Sequence, residues 1–261
     1  MRAAATDIGA SITLRHRFDG TDPGYPFIVV ADVTFALSAG AFTVTVRAEN
    51  AGAAAAPFFA GWHPYFRIGS GDDGSAAVRL DDRCNWLHVD MPPGAPRGSS
   101  LIPTGRLTPF NPGRLNPLGR STDQPLRSPV TGRPVPVWWD DEFLSRKCAQ
   151  RHAAGGHEAF TVTQGSRVKK LPRLADEGWL LETRVVSPRS HAAVLFQEGA
   201  KFPVVQLFTG APEAFEASAV ACEPQSALAD AFNRGDDGAR FEILGPGEAW
   251  HGSFGVRAEA V

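Results

Sequence analysis

In Phe42-Thr43-Val44-Thr45-Val46-Arg47, apolar and polar residues alternate strictly. A period of two places Phe42, Val44 and Val46 on one face of an extended strand. The segments 27–35, 159–163, 192–196, 204–209 and 241–244 are short and mostly rich in β-branched or aromatic residues, which predicts further strands. The run 250–256 alternates again towards its end. Helical periodicity is nearly absent; the best candidate is a turn or two around 226–232. Frequent glycine (27) and proline (21) punctuate the chain, as turns between short strands require. The pattern predicts an all-β protein of sandwich or barrel-like architecture.

Two stretches break this pattern. Residues 91–136 are rich in Pro, Gly and Arg, but Leu101, Ile102, Leu107, Phe110, Leu115 and Leu118 supply anchors that a disordered linker would lack. An ordered surface loop is the expectation there. Residues 145–178 are polar, basic and largely without pattern, and read as a mobile insertion rather than a domain. No internal repeat is visible. The 261 residues are expected to form a single domain, 1–261, since β-sandwiches of roughly 200–250 residues often do.

Composition narrows the partners. Charged residues make up 21% and the net charge is −2, so there is no clustered positive field of the kind that nucleic acid or an anionic membrane requires. The cysteines Cys84, Cys148 and Cys222 are far apart and show no metal-ligand spacing. They fit a reducing compartment, with one disulfide left open. The first residues lack a continuous apolar core, so they do not read as a secretory signal, and no stretch approaches the roughly 20 apolar residues of a membrane span. A soluble, cytoplasmic protein is expected.

Three clusters carry candidate chemistry. In Gly61-Trp62-His63-Pro64-Tyr65-Phe66 a histidine stands among aromatics, and the following proline biases its backbone to an extended form. It reads equally as a catalytic group or as a core histidine. In Trp138-Trp139-Asp140-Asp141-Glu142-Phe143 tryptophans adjoin carboxylates. An aromatic face packs on the C–H side of a pyranose and carboxylates accept from hydroxyls, but a strand end entering an acidic turn gives the same string. The third is Ala221-Cys222-Glu223-Pro224-Gln225, followed by Asp230-Ala231-Phe232-Asn233. Partial burial of Glu223 behind its apolar approach would suit a general base; a solvated strand-end glutamate is the plain alternative. No nucleophile elbow, phosphate loop, dinucleotide fingerprint or zinc motif is present, and no metal or cofactor is expected.

Taken together and in order, these clusters resemble the aldose 1-epimerase (galactose mutarotase-like) family. Gly24-Tyr25-Pro26-Phe27 and then 61–66 look like the segment leading to the family's catalytic histidine. Ile102-Pro103-Thr104-Gly105 looks like its "PTG" loop, and 139–143 like its aspartate-bearing strand. Residues 203–210 resemble the strand before its base, and Glu223-Pro224, 230–233 and 245–248 its C-terminal signature. The resemblance covers roughly 12–143 and 180–258, and implies a large antiparallel β-sandwich. It implies His63 and Glu223 as catalytic acid and base, with Asp140, Gln206, Trp62, Tyr65 and Trp139 binding the sugar, and no cofactor. The family's usual N-terminal portion, with a substrate-binding arginine and often a second histidine, finds no counterpart in 1–20, where Arg15 and Arg17 stand in a different context. The chain is therefore expected to lack part of it. The alternatives are a non-catalytic sugar-binding module on the same fold, a glycoside hydrolase pairing Asp140 with Glu223, and a hexose-6-phosphate 1-epimerase using Arg97, Arg106, Arg114 and Arg120.

Overall fold

The computed structural model describes residues 1–67, 77–81, 84–89, 106–110, 140–148, 161–164, 167–170, 180–186, 191–208, 219–233 and 241–260. The early strands are β1 (Arg2–Thr6), β2 (Gly9–Asp19), β3 (Ile28–Ser38), β4 (Phe42–Asn50), β5 (Ala56–Phe58) and β6 (Tyr65–Arg67). Next come β7 (Ala77–Leu80), β8 (Cys84–Val89), β9 (Leu107–Phe110), β10 (Asp140–Cys148), β11 (Thr161–Gln164) and β12 (Arg167–Lys170). The last are β13 (Leu180–Val186), β14 (His191–Glu198), β15 (Val204–Phe208), β16 (Ala219–Gln225), β17 (Glu242–Leu244) and β18 (Ala249–Ala260).

Eight strands form one sheet in the order β1-β2-β3-β4-β18-β14-β13-β7, and six form a second in the order β6-β16-β15-β10-β8-β9. Short pairs β17-β5 and β11-β12 complete the described strands, and the pairings are antiparallel. The all-β, antiparallel sandwich expected from the sequence is the fold observed.

Alternation builds the interior. On β16, Val220 and Cys222 turn to one side and meet Val205 and Leu207 of β15, Phe143 of β10 and Trp86 of β8. Across from them stand Val78, Leu80, Leu181, Val185 and Leu195 of the larger sheet. A second cluster joins Val44, Val46 and Ala48 of β4 to Trp250 and Phe254 of β18, capped by Phe58, Phe202 and Leu244. Burying a side chain of this size contributes about 1.5–3 kcal/mol. The expected inward set on β4 is thus correct. On β18 a Cβ at Gly255 would fall 2.5 Å from the Phe42 carbonyl and 2.6 Å from the Phe196 ring, so the strands meet there only because the side chain is hydrogen.

Some expectations change. The turn around 226–232 is one 3-10 turn, Ala231–Asn233. β10 continues to Cys148, so the first residues of the expected 145–178 insertion belong to the sheet, and Thr161–Gln164 pairs with Arg167–Lys170 as β11 and β12. Of the Pro-rich loop, 106–110 is described and forms β9 against β8; the rest of 91–136 lies outside the described residues. Residues 2–19, which gave no strand signal, form the outer hairpin β1–β2. Leu14 and Phe18 there stay exposed, so neither face carries the buried stripe that marks a strand in sequence. Cys84 is disulfide-bonded and its backbone pairs with Cys148, while Cys222 is free and buried. A disulfide is at home in an oxidising compartment, so the cysteines no longer argue for a reducing one. No described helix is long and apolar enough to cross a membrane.

Candidate active site

The site begins with the face of the smaller sheet that turns away from the core. Because Val220 and Cys222 point inward, Glu223 points outward with Ala221 and Gln225. Glu223 stands directly opposite Gln206 on β15, which stands opposite Glu142 on β10. These three polar residues form one row across three strands, and Asp140, Phe208, Ala221 and Tyr65 form the neighbouring row of paired positions.

The histidine arrives on the next segment. β6 pairs with β16 from Arg67↔Ala219 to Tyr65↔Ala221. The same register then continues without a shift: the Cys222 amide donates to the Pro64 carbonyl (3.3 Å) and the Trp62 amide to the Pro224 carbonyl (3.1 Å). Gly61 bridges Gln225, and the Ser226 amide donates to the Ala60 carbonyl (2.8 Å). The Ala60 amide donates back to the Ser226 hydroxyl (2.8 Å). This register sets His63 against Glu223, with Nε2 3.0 Å from Oε1. His63 is 50% exposed and the Glu223 side chain 9%, so the carboxylate is walled in while the imidazole meets the cavity. Gln225 Nε2 donates to Glu223 Oε2 (3.2 Å), so both carboxylate oxygens are engaged.

The same alternation sends Trp62, Pro64 and Phe66 to the core side. The Trp62 ring stacks on Phe254 at 5.4 Å and touches Phe42, so it packs between both core clusters and reaches the cavity only as part of its edge. Tyr65 falls on the His63 side, its ring 4.9 Å from the imidazole and its body exposed. Burial, and then the Glu223 charge, push its phenol above the ordinary tyrosine range.

A cavity of about 400 Å³ opens over this pair, within the size range of small-molecule sites. His63, Glu223 and Gln225 form one part of its wall; Phe59, Asp230 and Phe232 form another. The second part is held by Glu142, which is fully buried and accepts from the Ala229 amide at 2.6 Å. Beyond it Asp230 takes a left-handed backbone (φ 59°), and its Oδ1 accepts from Asn233 Nδ2 at 2.6 Å.

The structure therefore brings together His63, Glu223, Gln206 and Tyr65 from the sequence reading. Asp140 begins β10, paired with Phe208; Trp139 lies outside the described residues. Of the four loop arginines, Arg106 is described and exposed; Arg97, Arg114 and Arg120 lie outside the described residues. The sequence reading gave no role to Glu142, Gln225, Phe59 or Phe232. Parity would have found Glu142, since Phe143 beside it is a core residue; nothing local marks Phe59. Among the described residues, no three His, Cys, Asp or Glu side chains stand together as a metal site.

An acid–base pair in contact, one partner walled in and the other open to a cavity, can move protons to and from a bound hydroxyl. The sequence model of the family described as Aldose 1-epimerase matches residues 2–257. Solved structures of similar fold include a galactose mutarotase-like protein from Clostridium acetobutylicum, 12% identical with a TM-score of 0.63, where the match covers 100% of this chain and 66% of that one. Galactose 1-epimerase from Lactobacillus acidophilus NCFM is 13% identical with a TM-score of 0.60, over 99% and 65%. A galactose mutarotase-like protein from Lactobacillus casei is 17% identical with a TM-score of 0.57, over 99% and 72%. The chain thus spans about two thirds of the length of the structures it matches. No match was found among curated protein sequences.

Proposed function

The chain belongs to the aldose 1-epimerase family, and on that premise we propose that it interconverts the α and β anomers of an aldohexose by general acid–base ring opening. The observation that carries this reading is the His63–Glu223 contact of 3.0 Å at the cavity wall.

A cyclic aldose is a hemiacetal. Glu223 takes the proton of the C1 hydroxyl, the C1–O5 bond breaks with its electron pair passing to O5, and His63 delivers a proton there. The product is the open-chain aldehyde, with Glu223 protonated and His63 neutral. Rotation about C1–C2 presents the other face of the carbonyl, and closure returns both protons. One base and one acid suffice, and the reaction requires no cofactor. Such acid–base help contributes about 10²–10⁴-fold, and positioning of the ring contributes the remainder.

Gln206, beside Glu223 in the row, and Asp140, in the neighbouring row, are assigned to the sugar hydroxyls, with Tyr65 next to the imidazole. Trp62 positions His63 from the core side, and Trp139 is kept as a stacking residue.

The test is anomer exchange by NMR on freshly dissolved α-glucose and α-galactose, against the spontaneous rate. Acceleration by the wild type that falls to baseline in His63→Ala and Glu223→Gln supports the reading. A folded wild type that matches the baseline on both sugars overturns it in favour of a sugar-binding module.

A further inference from the structure

The core-side face of the larger sheet outruns its cover. One row of paired residues records where the cover ends: Val46 on β4 is buried, Val33 on β3 is half-buried, and Leu14 on β2 is 44% exposed. Further along the strands, Asn50 and Val29 are fully buried, while Phe18, opposite Val29, is 39% exposed. Phe35 on β3 still stacks on Phe42, which touches Trp62, two residues after Ala60 and just before β6. β6 is the edge strand of the smaller sheet, and past β3 the face of the larger sheet lies open.

The open face has one chemical character. The pleat presents Ala3 and Ala5 of β1, Ile12, Leu14 and Phe18 of β2, and Leu37 of β3, which is 59% exposed, on the same side. No Asp, Glu, Lys or Arg of these three strands stands there, and His16 is its one titratable group. The Arg15–Asp32 pair is on the opposite side. Phe18 is set edge-on to His16 at 4.6 Å and to Tyr25 at 5.5 Å, and the Tyr25 hydroxyl donates to the Pro57 carbonyl (2.6 Å). The aromatic end of the face is therefore anchored to the body of the protein.

An uncharged sheet face is matched by another such face, since stacked sheets interdigitate at about 10 Å. Among the described residues, the other apolar faces of the two large sheets already meet each other in the core. The matching face is then the same face of a second copy. Three strands of these lengths offer about 450 Å² of flat area per copy. Two copies bring about 900 Å² together before side-chain relief is added, which reaches the roughly 1,000 Å² that a specific interface needs.

We infer that the core-side face of β1–β3 is a dimer interface, on which a second copy of this chain lays its own β1–β3 face to face. A two-fold axis between the two layers relates the copies, so Leu14, Phe18 and Leu37 of both are buried in one closed contact. The edge strand β1 of each copy comes beside β6 of the other, and the sandwich runs on through both. The inference is independent of the function proposed above.

The experiment is sedimentation equilibrium of the full chain over a wide concentration range, on wild type, Leu14→Asp, Leu37→Asp and Arg17→Glu. Wild type is expected at twice the chain mass. Each aspartate variant places an unpaired charge in the contact and should raise the dimer Kd by roughly hundredfold or more, with native circular dichroism. Arg17→Glu changes the charge on the opposite side and should leave the dimer intact. A monomeric wild type, a dimer that survives both aspartate variants, or one lost equally in Arg17→Glu overturns the interface. A monomeric wild type that floats with phosphatidylcholine vesicles also overturns it and gives the face to a lipid surface. If the aspartate variants do not fold, hydroxyl-radical footprinting of wild type decides: Leu14, Phe18 and Leu37 protected at dimer concentrations and labelled on dilution support the interface, and labelling that does not change with concentration overturns it.

Discussion

His63 stands directly opposite Glu223 across two antiparallel segments, with Nε2 3.0 Å from Oε1. The contact is a consequence of register: each pairing from Arg67↔Ala219 to Gly61↔Gln225 keeps the same offset. A slip of one residue would send His63 to the core and Trp62 to the cavity.

Removing either partner should therefore cost the acid–base contribution without unfolding the protein. Glu223→Gln and His63→Ala are expected to lower the catalysed rate of anomer exchange by about 10²–10⁴-fold, measured by NMR with thermal melts as the control for folding. The wild-type rate should fall on both sides of an optimum, because the base must be ionised while the acid is protonated. A catalysed rate that does not change with pH would count against the pair.

Gln225 holds the second oxygen of Glu223 from the adjacent cavity wall. Gln225→Leu keeps the bulk and removes the donor. We expect kcat to drop about tenfold or more while the fold is retained, since a misplaced reacting group costs up to about 10²-fold. An unchanged kcat would show that the bond does not orient the carboxylate.

Phe254 supports the site from below. It is fully buried, stacks on Trp62 and meets the Phe202 ring edge-on at 5.0 Å. Phe254→Ala should destabilise the protein by about 3–5 kcal/mol, read by urea denaturation. A loss under about 1 kcal/mol would mean that the site collapses around the cavity.

Glu198, at the end of β14, is a buried carboxyl whose pKa is raised above the usual range by burial, partly offset by its hydrogen bonds with Ser253. The folded state thus holds the proton more tightly than the unfolded chain. Its favourable contribution is present below the unfolded value, about 4.3, and is lost as pH rises through the folded one. Glu198→Gln should raise Tm at pH 7, and the advantage should shrink towards pH 4. An advantage equal at both pH values would show that the charge is not its source.

At the outer hairpin the sign reverses. Arg15 Nε and Nη2 donate to Asp32 at 2.7 and 2.6 Å, and these bonds hold the Asp32 carboxyl below its usual range. Its contribution is present above about pH 3.9 and lost as pH falls through the lowered value. Asp32→Asn should cost less than about 1 kcal/mol at pH 7, measured by urea denaturation, because the pair stands on an exposed face.

Strands with one buried face were legible. Phe42, Val44 and Val46 alternate because one side of β4 meets the core and the other meets solvent. The hairpin β1–β2 was not, because its side chains are exposed or only partly covered on both faces and leave no alternation to read. Histidine, glutamate and their neighbours were found as residue types in an order that resembles a family, whose match over residues 2–257 bears the resemblance out.

By itself, then, the sequence determined the strand-rich class, the turns between strands and the short strings in which chemistry could reside, since these depend on local period and local composition. Only the tertiary structure decided which side of each string faces the cavity. Trp62 goes to the core and His63 to Glu223, Phe143 goes to the core and Glu142 to the Ala229 amide, because strand register joins residues some 90 to 160 positions apart. Register is set by the packing of both faces at once, and no local stretch of chain contains that information.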